Sequence, residues 1–301
     1  MSKPPALGLP PTARAYRLPT ARGEFAVHDA GEPRLGTALL VPGFTGSKED
    51  FIALLGPLAD AGFRAVAVDG RGQYETGGPR AEGAYVQGEL ALDVLALTEA
   101  VAVRRGAGAG RGEGPAPRVH LLGHSLGGLV ARAAVLRDAA PFASLTLMSS
   151  GPAAISAAQQ RRLKLLLGAV PVLTMEEIWQ AMRELDPVEA ADEQTPPAVA
   201  EFLHRRWVAQ VPEQLTASAQ QLIGEPDRVT ELARAVSARE LPVHVLSGAV
   251  DYAWPVPLLD EMAVRLRAAR TVVAGAGHSP NAERPGETAR ALADFWRAAG
   301  E

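Results

Sequence analysis

The sequence predicts an α/β fold, in which a mostly parallel β-sheet carries helices on both faces and an all-helical insertion. Three observations lead to this prediction. Short apolar runs alternate with amphipathic helical patterns, which is typical of a parallel sheet covered on both faces. The alternation stops between about Pro152 and Leu241, where helical patterns follow one another without a strand pattern. The length, 301 residues, is near the upper limit for one hydrophobic core.

The strands are predicted from short apolar runs that end at turn-forming residues. After a proline-rich N-terminal arm, the opening strands lie within Ala15–His28. Six strands follow, at Thr37–Val41, Arg64–Val68, Val119–Leu122, Ser144–Met148, Val243–Leu246 and Thr271–Val273, and the first three are predicted to be buried. Because such sheets bind ligands at the carboxyl ends of their strands, we expect the functional residues there.

The helices are predicted from apolar residues at helical spacing. In the core they span Asp50–Ala61, Gly88–Val103, Leu126–Arg137 and about Arg284–Ala298. In the insertion they span Ala157–Leu167, Met175–Leu185, Ala198–Ala209, Glu213–Ile223 and Arg228–Ala238. The Gly- and Arg-rich stretch Arg104–Pro117 is predicted to be a solvent-exposed connection. The predicted domains are a first part of the core at 1–151, with a flexible arm at 1–14, a helical insertion at 152–240 and the remaining core at 241–301.

Composition excludes several classes of protein. The formal net charge of -4 gives no electrostatic basis for binding nucleic acid or an anionic membrane. No segment reaches the roughly 18 apolar residues of a membrane span, and Met1–Pro11 lacks the apolar region of a signal peptide. The absence of cysteine excludes disulfides, thiolate metal sites and a cysteine nucleophile, and it fits a reducing compartment. We therefore expect a cytoplasmic protein, whose oligomeric state the sequence does not predict.

The motif Gly123-His124-Ser125-Leu126-Gly127-Gly128 follows an apolar strand and opens a helix. In that context, the G-x-S-x-G pattern forms a tight turn that exposes a serine nucleophile at the carboxyl edge of the sheet. Side chains two residues before and after the serine would clash with backbone, which accounts for Gly123 and Gly127. A glycine-rich turn with an N-capping serine is the alternative. The strand, the helix and the two glycines together favour the nucleophile.

These features resemble the α/β-hydrolase superfamily, and the resemblance extends from about Gly23 to the C-terminus. The Gly-His-Ser-Leu-Gly-Gly form is common among its esterases, lipases and thioesterases. The helical insertion stands in the position of that family's cap. The resemblance therefore implies an esterase- or lipase-like serine hydrolase with a catalytic triad beneath a helical cap, and it does not select a substrate.

A serine hydroxyl needs an adjacent base, and the base needs an orienting acid. Most of the six histidines have another explanation. His120 and His244 lie in strand patterns, His204 lies in an insertion helix, and His28 lies in an early strand or turn. His124 is next to Ser125, but it occupies an elbow position whose side chain should point away from that of Ser125. This leaves His278, on the loop after the last strand, which matches the superfamily's late histidine.

The orienting acid is expected near that loop. Asp251 follows the strand Val243–Leu246, in a segment that resembles the family's acid turn. The chain order Ser–Asp–His is the one expected for this fold. Some members carry the acid after the preceding strand, but the corresponding residues here, Ser149-Ser150-Gly151, include no carboxylate. We therefore predict Asp251 as the acid.

The resemblance also implies an oxyanion hole, formed by the backbone N–H of Leu126 and that of Phe44 in the loop after an early strand. Pro42-Gly43 stands where the family has His-Gly, which removes a histidine but no backbone donor. The segment Asp69-Gly70-Arg71-Gly72-Gln73 resembles the family's Asp-x-Arg-Gly-x-Gly turn, and we predict a structural role for it.

Four aromatic residues are candidates for substrate binding. Tyr252 and Trp254 closely follow the predicted acid and are expected at the rim of the pocket. Trp179 and Trp207 recur at helical spacing in the insertion, where they either line an acyl pocket or pack the insertion onto the core.

The resulting hypothesis is a serine hydrolase that cleaves a carboxylic ester, or a similar acyl bond, of a small apolar substrate through an acyl-enzyme. The sequence has no H-E-x-x-H motif and no phosphate-binding loop, so we expect neither a metal nor an organic cofactor. A thioesterase, a C–C hydrolase, a cofactor-free haloperoxidase or an acyltransferase could use the same three residues. A non-catalytic small-molecule receptor that retains the triad is the alternative of another class.

Overall fold

The computed structural model describes residues 2–103, 118–185 and 195–300. Its centre is an eight-stranded sheet. The strands are β1 (Ala13–Thr20), β2 (Gly23–Ala30), β3 (Gly36–Val41), β4 (Phe63–Val68), β5 (Val119–His124), β6 (Phe142–Met148), β7 (Val243–Gly248) and β8 (Ala269–Val273). These strands coincide with the predicted ones. The predicted connection Arg104–Pro117 lies outside the described residues.

The strand order is β1-β2-β4-β3-β5-β6-β7-β8. β2 is antiparallel to both of its neighbours, and all later pairs are parallel. From β3 the chain continues to β4 on one side, whereas β5 pairs with β3 on the other side. Ligand crevices form where the strand order reverses in this way, at the carboxyl ends of β3 and β5. The predicted fold class is confirmed.

Helices cover both faces of this sheet, and a further group of helices lies between β6 and β7 in the chain. They are α1 (Ile52–Asp60), α2 (Gln87–Val103), α3 (Leu126–Arg137), α4 (Ala157–Ala169), α5 (Met175–Leu185), α6 (Pro197–Val208), α7 (Pro212–Gly224), α8 (Val229–Ala238), α9 (Val256–Leu266), α10 (Pro280–Glu283) and α11 (Pro285–Gly300). Short 3-10 helices span Lys48–Phe51 and Glu82–Tyr85. Within the described part of the chain, no helix is long and apolar enough to cross a membrane.

The central strands are buried on both faces because successive side chains alternate between two apolar layers. In β4, Val66 and Val68 join a cluster with α2, α3, α8 and α9. Ala65 and Ala67 of the same strand join a second cluster with α1 and α11. This two-sided burial explains why the strands are continuous apolar runs in the sequence.

Five helices, α4 to α8, lie between β6 and β7, and we call residues 152–185 and 195–240 the helical segment. The predicted helices in this region coincide with those observed, and no strand occurs among these residues. An apolar cluster of their own is formed by Ile178, Trp179, Val199, Phe202, Leu203, Trp207 and Leu215. Phe44 and Tyr74 of the sheet domain pack against it. The domain boundaries stay a prediction.

Helix α9 was not among the predicted elements. Its N-terminus carries Pro255 and Pro257, which look like breaks in the sequence but are compatible with the first turn of a helix. The residues that α9 buries, Leu259, Met262, Ala263 and Leu266, follow the helical spacing i, i+3, i+4, i+7. That spacing is the signal that could have identified the helix.

Parts of the N-terminal stretch, residues 2–12, contact the rest of the protein, and the flexible arm stays a prediction. β1 already begins at Ala13, Pro4 is buried and Leu7 packs against the cluster of the helical segment. The carbonyl oxygen of Ser2 accepts a hydrogen bond of 2.8 Å from Nη2 of Arg206 in α6. Several prolines stiffen this stretch, and its own sequence carries no signal for the surface on which it lies.

Candidate active site

Ser125 occupies the tight turn between β5 and α3. Its φ of 54° lies in a region that residues other than glycine rarely adopt. A Cβ at Gly123 would overlap the backbone of Gly127, and one at Gly127 would overlap the carbonyl of Val41. Although Ser125 is the N-cap residue of α3, its side chain makes no capping hydrogen bond. The strained turn therefore leaves the hydroxyl free for another partner at the carboxyl edge of the sheet.

The structure brings Ser125, His278 and Asp251 together. His278 Nε2 lies 3.0 Å from Ser125 Oγ, and His278 Nδ1 lies 2.9 Å from Asp251 Oδ2. The backbone N–H groups of Ala253 and Trp254 donate to the other carboxylate oxygen, Asp251 Oδ1, at 2.8 and 3.0 Å. Because a carboxylate can only accept, Nδ1 carries the imidazole proton and Nε2 is left to accept one from the serine hydroxyl.

The loop that carries His278 is held from two sides. Glu283 accepts the backbone N–H of Gly277 at 2.6 Å and that of Ser279 at 3.1 Å, on either side of the histidine. His124 Nε2 donates to the carbonyl oxygen of His278 at 2.9 Å. Burial lowers the pKa of His124 to about 3, so its ring is neutral. The His124 ring lines the cavity and lies 5.2 Å from that of His278, so this residue packs beside the site.

The loop after β3 passes close to the serine. A Cβ at Gly43 would lie 3.0 Å from the Cβ of Ser125, and Phe44 and Thr45 line the same cavity as Ser125. Leu126 is the first residue of α3, where the helix offers its N–H no internal partner. The two backbone groups predicted as oxyanion donors thus belong to segments that flank Ser125.

A cavity of about 350 Å³ lies above Ser125 and His278, between the sheet and the helical segment. Helices α4 and α5 provide a mostly apolar wall, formed by Leu163, Leu166, Ala169, Ile178, Ala181 and Met182, to which α4 also contributes Gln159 and Arg162. Gly43, Phe44, Thr45 and Asp50 of the sheet-bearing part of the chain also line the cavity. Ser2 also reaches the lining, so the N-terminal segment contributes to the wall.

Of the four aromatic candidates, Tyr252 and Trp207 line this cavity. The Tyr252 ring lies 4.7 Å from that of His278. Trp254 is buried behind the site, where its indole packs against Gly151 and donates to the carbonyl of Ala153 at 2.7 Å, so it does not form the rim. Trp179 likewise lies outside the lining and packs between Trp207 and His204. A side chain next to the acid can point either way, and the direction is set by tertiary packing.

The turn that begins at Asp69 supports the loop after β3, as predicted for a structural element. The Asp69 carboxylate accepts the backbone N–H groups of Lys48 and Glu75, at 2.7 and 3.1 Å, and it also accepts Lys48 Nζ. Burial alone would lower the pKa of Lys48, but the carboxylates of Asp69 and Glu49 raise it above its ordinary value. Arg71 instead bonds the carboxylate of Asp93 and the carbonyl of Arg22.

Two residues near the site were missed by the sequence reasoning. Gln73 donates from Nε2 to the carbonyl of Gly43 at 2.8 Å, and Glu283 brackets His278. Glutamine and glutamate are common surface residues, so neither carries a signal of its own. Among the described residues, no group of three or more His, Cys, Asp or Glu side chains is arranged as a metal site.

Comparison with known proteins defines the class. Residues 38–291 match the alpha/beta hydrolase family, and the chain belongs to that family. The resemblance inferred from the sequence is thereby confirmed, and the protein is a member of a family of hydrolases.

The individual proteins that this chain resembles share limited sequence identity with it. A protein of Variovorax paradoxus (strain S110) with the provisional name carbamate hydrolase RutD is 35% identical over 113 residues, which is 37% of this chain and 37% of that relative. A hydrolase from Pseudomonas aeruginosa PA01 superposes with a TM-score of 0.73 at 24% identity, over 94% of this chain and 98% of that one. A thermophilic esterase from Thermogutta terrifontis gives a TM-score of 0.72 at 23% identity, over 96% and 100% of the two chains. At these identities the structural likeness establishes the fold.

Proposed function

We propose that this protein is a serine hydrolase that cleaves a carboxylic ester of a small apolar substrate through an acyl-enzyme. One observation carries the proposal: Ser125 Oγ, the imidazole of His278 and the carboxylate of Asp251 form a continuous hydrogen-bonded chain at the floor of an apolar cavity. In that arrangement Ser125 is the nucleophile, His278 the general base and Asp251 the group that fixes the histidine tautomer.

In the first step, Ser125 Oγ attacks the ester carbonyl carbon while His278 Nε2 takes the hydroxyl proton. The carbonyl oxygen becomes an oxyanion, which the N–H groups of Phe44 and Leu126 stabilise. The tetrahedral intermediate then collapses, the bond to the alcohol oxygen breaks, and His278 returns its proton to the departing alcohol. In the second step, water replaces the alcohol and the same transfers release the carboxylic acid and regenerate Ser125.

The cavity supports the choice of substrate. Its volume of about 350 Å³ is at the small end of the range for ligand pockets, roughly 300–1,000 Å³, which favours a small substrate. The wall formed by α4 and α5 is mostly apolar, which favours an apolar acyl or alcohol group, and Gln159 and Arg162 add polar atoms to the lining. In this proposal the helical segment is the cap of the site and shields the acyl-enzyme from bulk water.

A carbamate is a second candidate, since the Variovorax relative carries that name. A carbamate carbonyl would react with the same three residues, but nitrogen donation makes it less electrophilic than an ester. Comparing the turnover of p-nitrophenyl butyrate with that of p-nitrophenyl N-methylcarbamate decides between them. If the carbamate is turned over faster than the ester, despite its lower intrinsic reactivity, a carbamate is the better assignment.

The test of the proposal is steady-state hydrolysis of p-nitrophenyl butyrate by the wild type and by Ser125→Ala. We expect multiple turnovers in the wild type and a reduction of kcat by about 10⁶ in the variant, the loss typical of a serine nucleophile. Ser237→Ala, at an exposed serine on α8, is the matched control and should retain full activity. A single burst of one equivalent without turnover would favour the receptor, and a product ester formed with added alcohol would favour the acyltransferase.

A further inference from the structure

Gln73 connects the turn after β4 to the loop that runs beside Ser125. The side chain is buried, and its Nε2 donates to the carbonyl oxygen of Gly43 at 2.8 Å. At its other end, Oε1 accepts the backbone N–H of Gly70 at 3.0 Å. Because one partner can only accept and the other can only donate, the orientation of the amide is fixed by its neighbours.

The carbonyl of Gly43 and the N–H of Phe44 belong to one peptide unit. A trans peptide is planar and rigid, so its C=O and N–H point in opposite directions. Gln73 is not among the residues that line the cavity, whereas Gly43, Phe44 and Ser125 are. A hydrogen bond that holds the carbonyl toward Gln73 therefore turns the N–H of the same peptide toward the cavity.

We propose that Gln73 is a positioning residue for the oxyanion site, which acts by orienting and polarising the Gly43–Phe44 peptide. This inference rests on the proposed function, since it assigns Gln73 to the Phe44 donor of that mechanism. Hydrogen bonding at the carbonyl draws electron density from the amide nitrogen, so the N–H becomes a stronger donor as well as a better oriented one. Gln73 touches no reacting atom.

The surrounding turn is built to admit this side chain. A Cβ on Gly70 would lie 2.6 Å from Gln73 Oε1, so the amide could not keep its present place beside any other residue at position 70. The carbonyl of Gly43 also accepts the N–H of Gly46 at 3.0 Å, which closes the loop locally. Gln73 thus adds, from outside the loop, a second hydrogen bond that orients this carbonyl.

The decisive variant is Gln73→Glu, which keeps the shape of the side chain. As a carboxylate it cannot donate and it repels the Gly43 carbonyl, whereas as a neutral acid it donates again. Burial raises the pKa of a carboxyl above the ordinary value of about 4.3, so the neutral form gains population between pH 8 and pH 5.5. We expect kcat at pH 8 to be about 10- to 100-fold below wild type, part of the ~10²–10³ lost with a whole oxyanion donor, with KM within threefold.

The specific readout is the ratio of kcat in Gln73→Glu to kcat in the wild type, measured with p-nitrophenyl butyrate from pH 8 to pH 5.5. We expect the ratio to rise at least threefold as the pH falls. Any pH effect that is common to the two proteins cancels in the ratio. A merely structural role would give a ratio that is flat, or that falls with the stability of the variant in acid.

Gln221→Glu is the matched control, because Gln221 also donates from Nε2 to backbone carbonyls, those of Tyr85 and Ala217. Its ratio to wild type should be near one at every pH. If Gln73→Glu fails to fold, Gly70→Ala replaces it, since a methyl group there displaces the Gln73 amide, and kcat should fall at unchanged KM.

The inference is wrong if the wild type turns over the ester while Gln73→Glu keeps wild-type kcat, or loses kcat with a ratio to wild type that does not rise as the pH falls. Where Gly70→Ala is used instead, wild-type kcat, or a change in KM by the same factor as kcat, overturns the inference. A wild type that neither hydrolyses the ester nor is labelled at Ser125 by an alkyl fluorophosphonate instead refutes the proposed function, and this assignment with it.

Discussion

Replacing Asp251 by asparagine tests the proposed mechanism at one atom. The two backbone N–H groups of Ala253 and Trp254 hold Oδ1 as an acceptor, so in Asp251→Asn the amide oxygen stays there. The amide nitrogen then takes the place of Oδ2 and directs a donor at His278 Nδ1. The imidazole can satisfy that donor only by moving its proton to Nε2, the nitrogen that faces Ser125 Oγ.

The histidine is then in the wrong tautomer and cannot accept the serine proton. Loss of this function in a Ser–His–Asp site lowers kcat by about 10⁴, which is about 5.4 kcal/mol of activation free energy at 1.36 kcal/mol per factor of ten. The fold should be nearly unaffected, because both backbone hydrogen bonds to residue 251 remain. Asp251→Ala removes the acceptor as well, so it should lose a similar rate and also lower Tm.

The measurement is kcat for p-nitrophenyl butyrate at pH 7.5, with thermal unfolding of the same samples. Asp227→Asn is the matched control, since Asp227 also accepts a backbone N–H two residues later, that of Val229, but lies away from the cavity. Asp251→Asn activity within tenfold of wild type would refute the role assigned to the acid. So would a rate loss that only follows unfolding.

Two further predictions concern stability. Burial lowers the pKa of four histidines from 6.5. The pKa falls to about 4 in His28, His120 and His244 and to about 3 in His124. Below pH 6.5 the unfolded chain binds protons that the folded protein does not, so the free energy of unfolding decreases as the pH falls toward 4. Urea titrations should show a decrease of about 1–2 kcal/mol per histidine between pH 7 and pH 5. An unfolding midpoint that does not change over this range would contradict the prediction. Arg206→Met leaves the buried carboxylate of Asp50 without its ion-pair partner and should cost about 3–5 kcal/mol of unfolding free energy. Arg205→Met, next to it, removes an exposed pair with Glu201 and should cost less than about 1 kcal/mol; equal losses in the two variants would show that burial of the pair is not the cause.

Much of the fold follows from local patterns. Strands buried on both faces must be apolar throughout, so β3, β4 and β5 are visible as continuous runs. The elbow is visible for a similar reason, because steric clashes leave glycine as the residue for positions 123 and 127. The side chains of Ser125, Asp251 and His278 do meet, as expected, although they come from distant loops. Their catalytic roles stay predictions.

Other features depend on contacts that no local pattern encodes. Trp254 turns into the core because Gly151 leaves space for its indole, and that space is created by a different loop. His124 reaches the carbonyl of His278 across 154 positions of sequence. Gln73 acts on a peptide 30 positions away. In each case the residue type allows several directions, and the tertiary structure selects one.

The position of Ser2 has a practical consequence for anyone who produces this protein. A purification tag joined upstream of Ser2 would be connected to a residue that lines the cavity and accepts a hydrogen bond from Arg206, the partner of Asp50. A tag after Glu301 would instead follow α11, none of whose residues line the cavity. Kinetic constants from the two fusions should therefore be compared before either is attributed to the native enzyme.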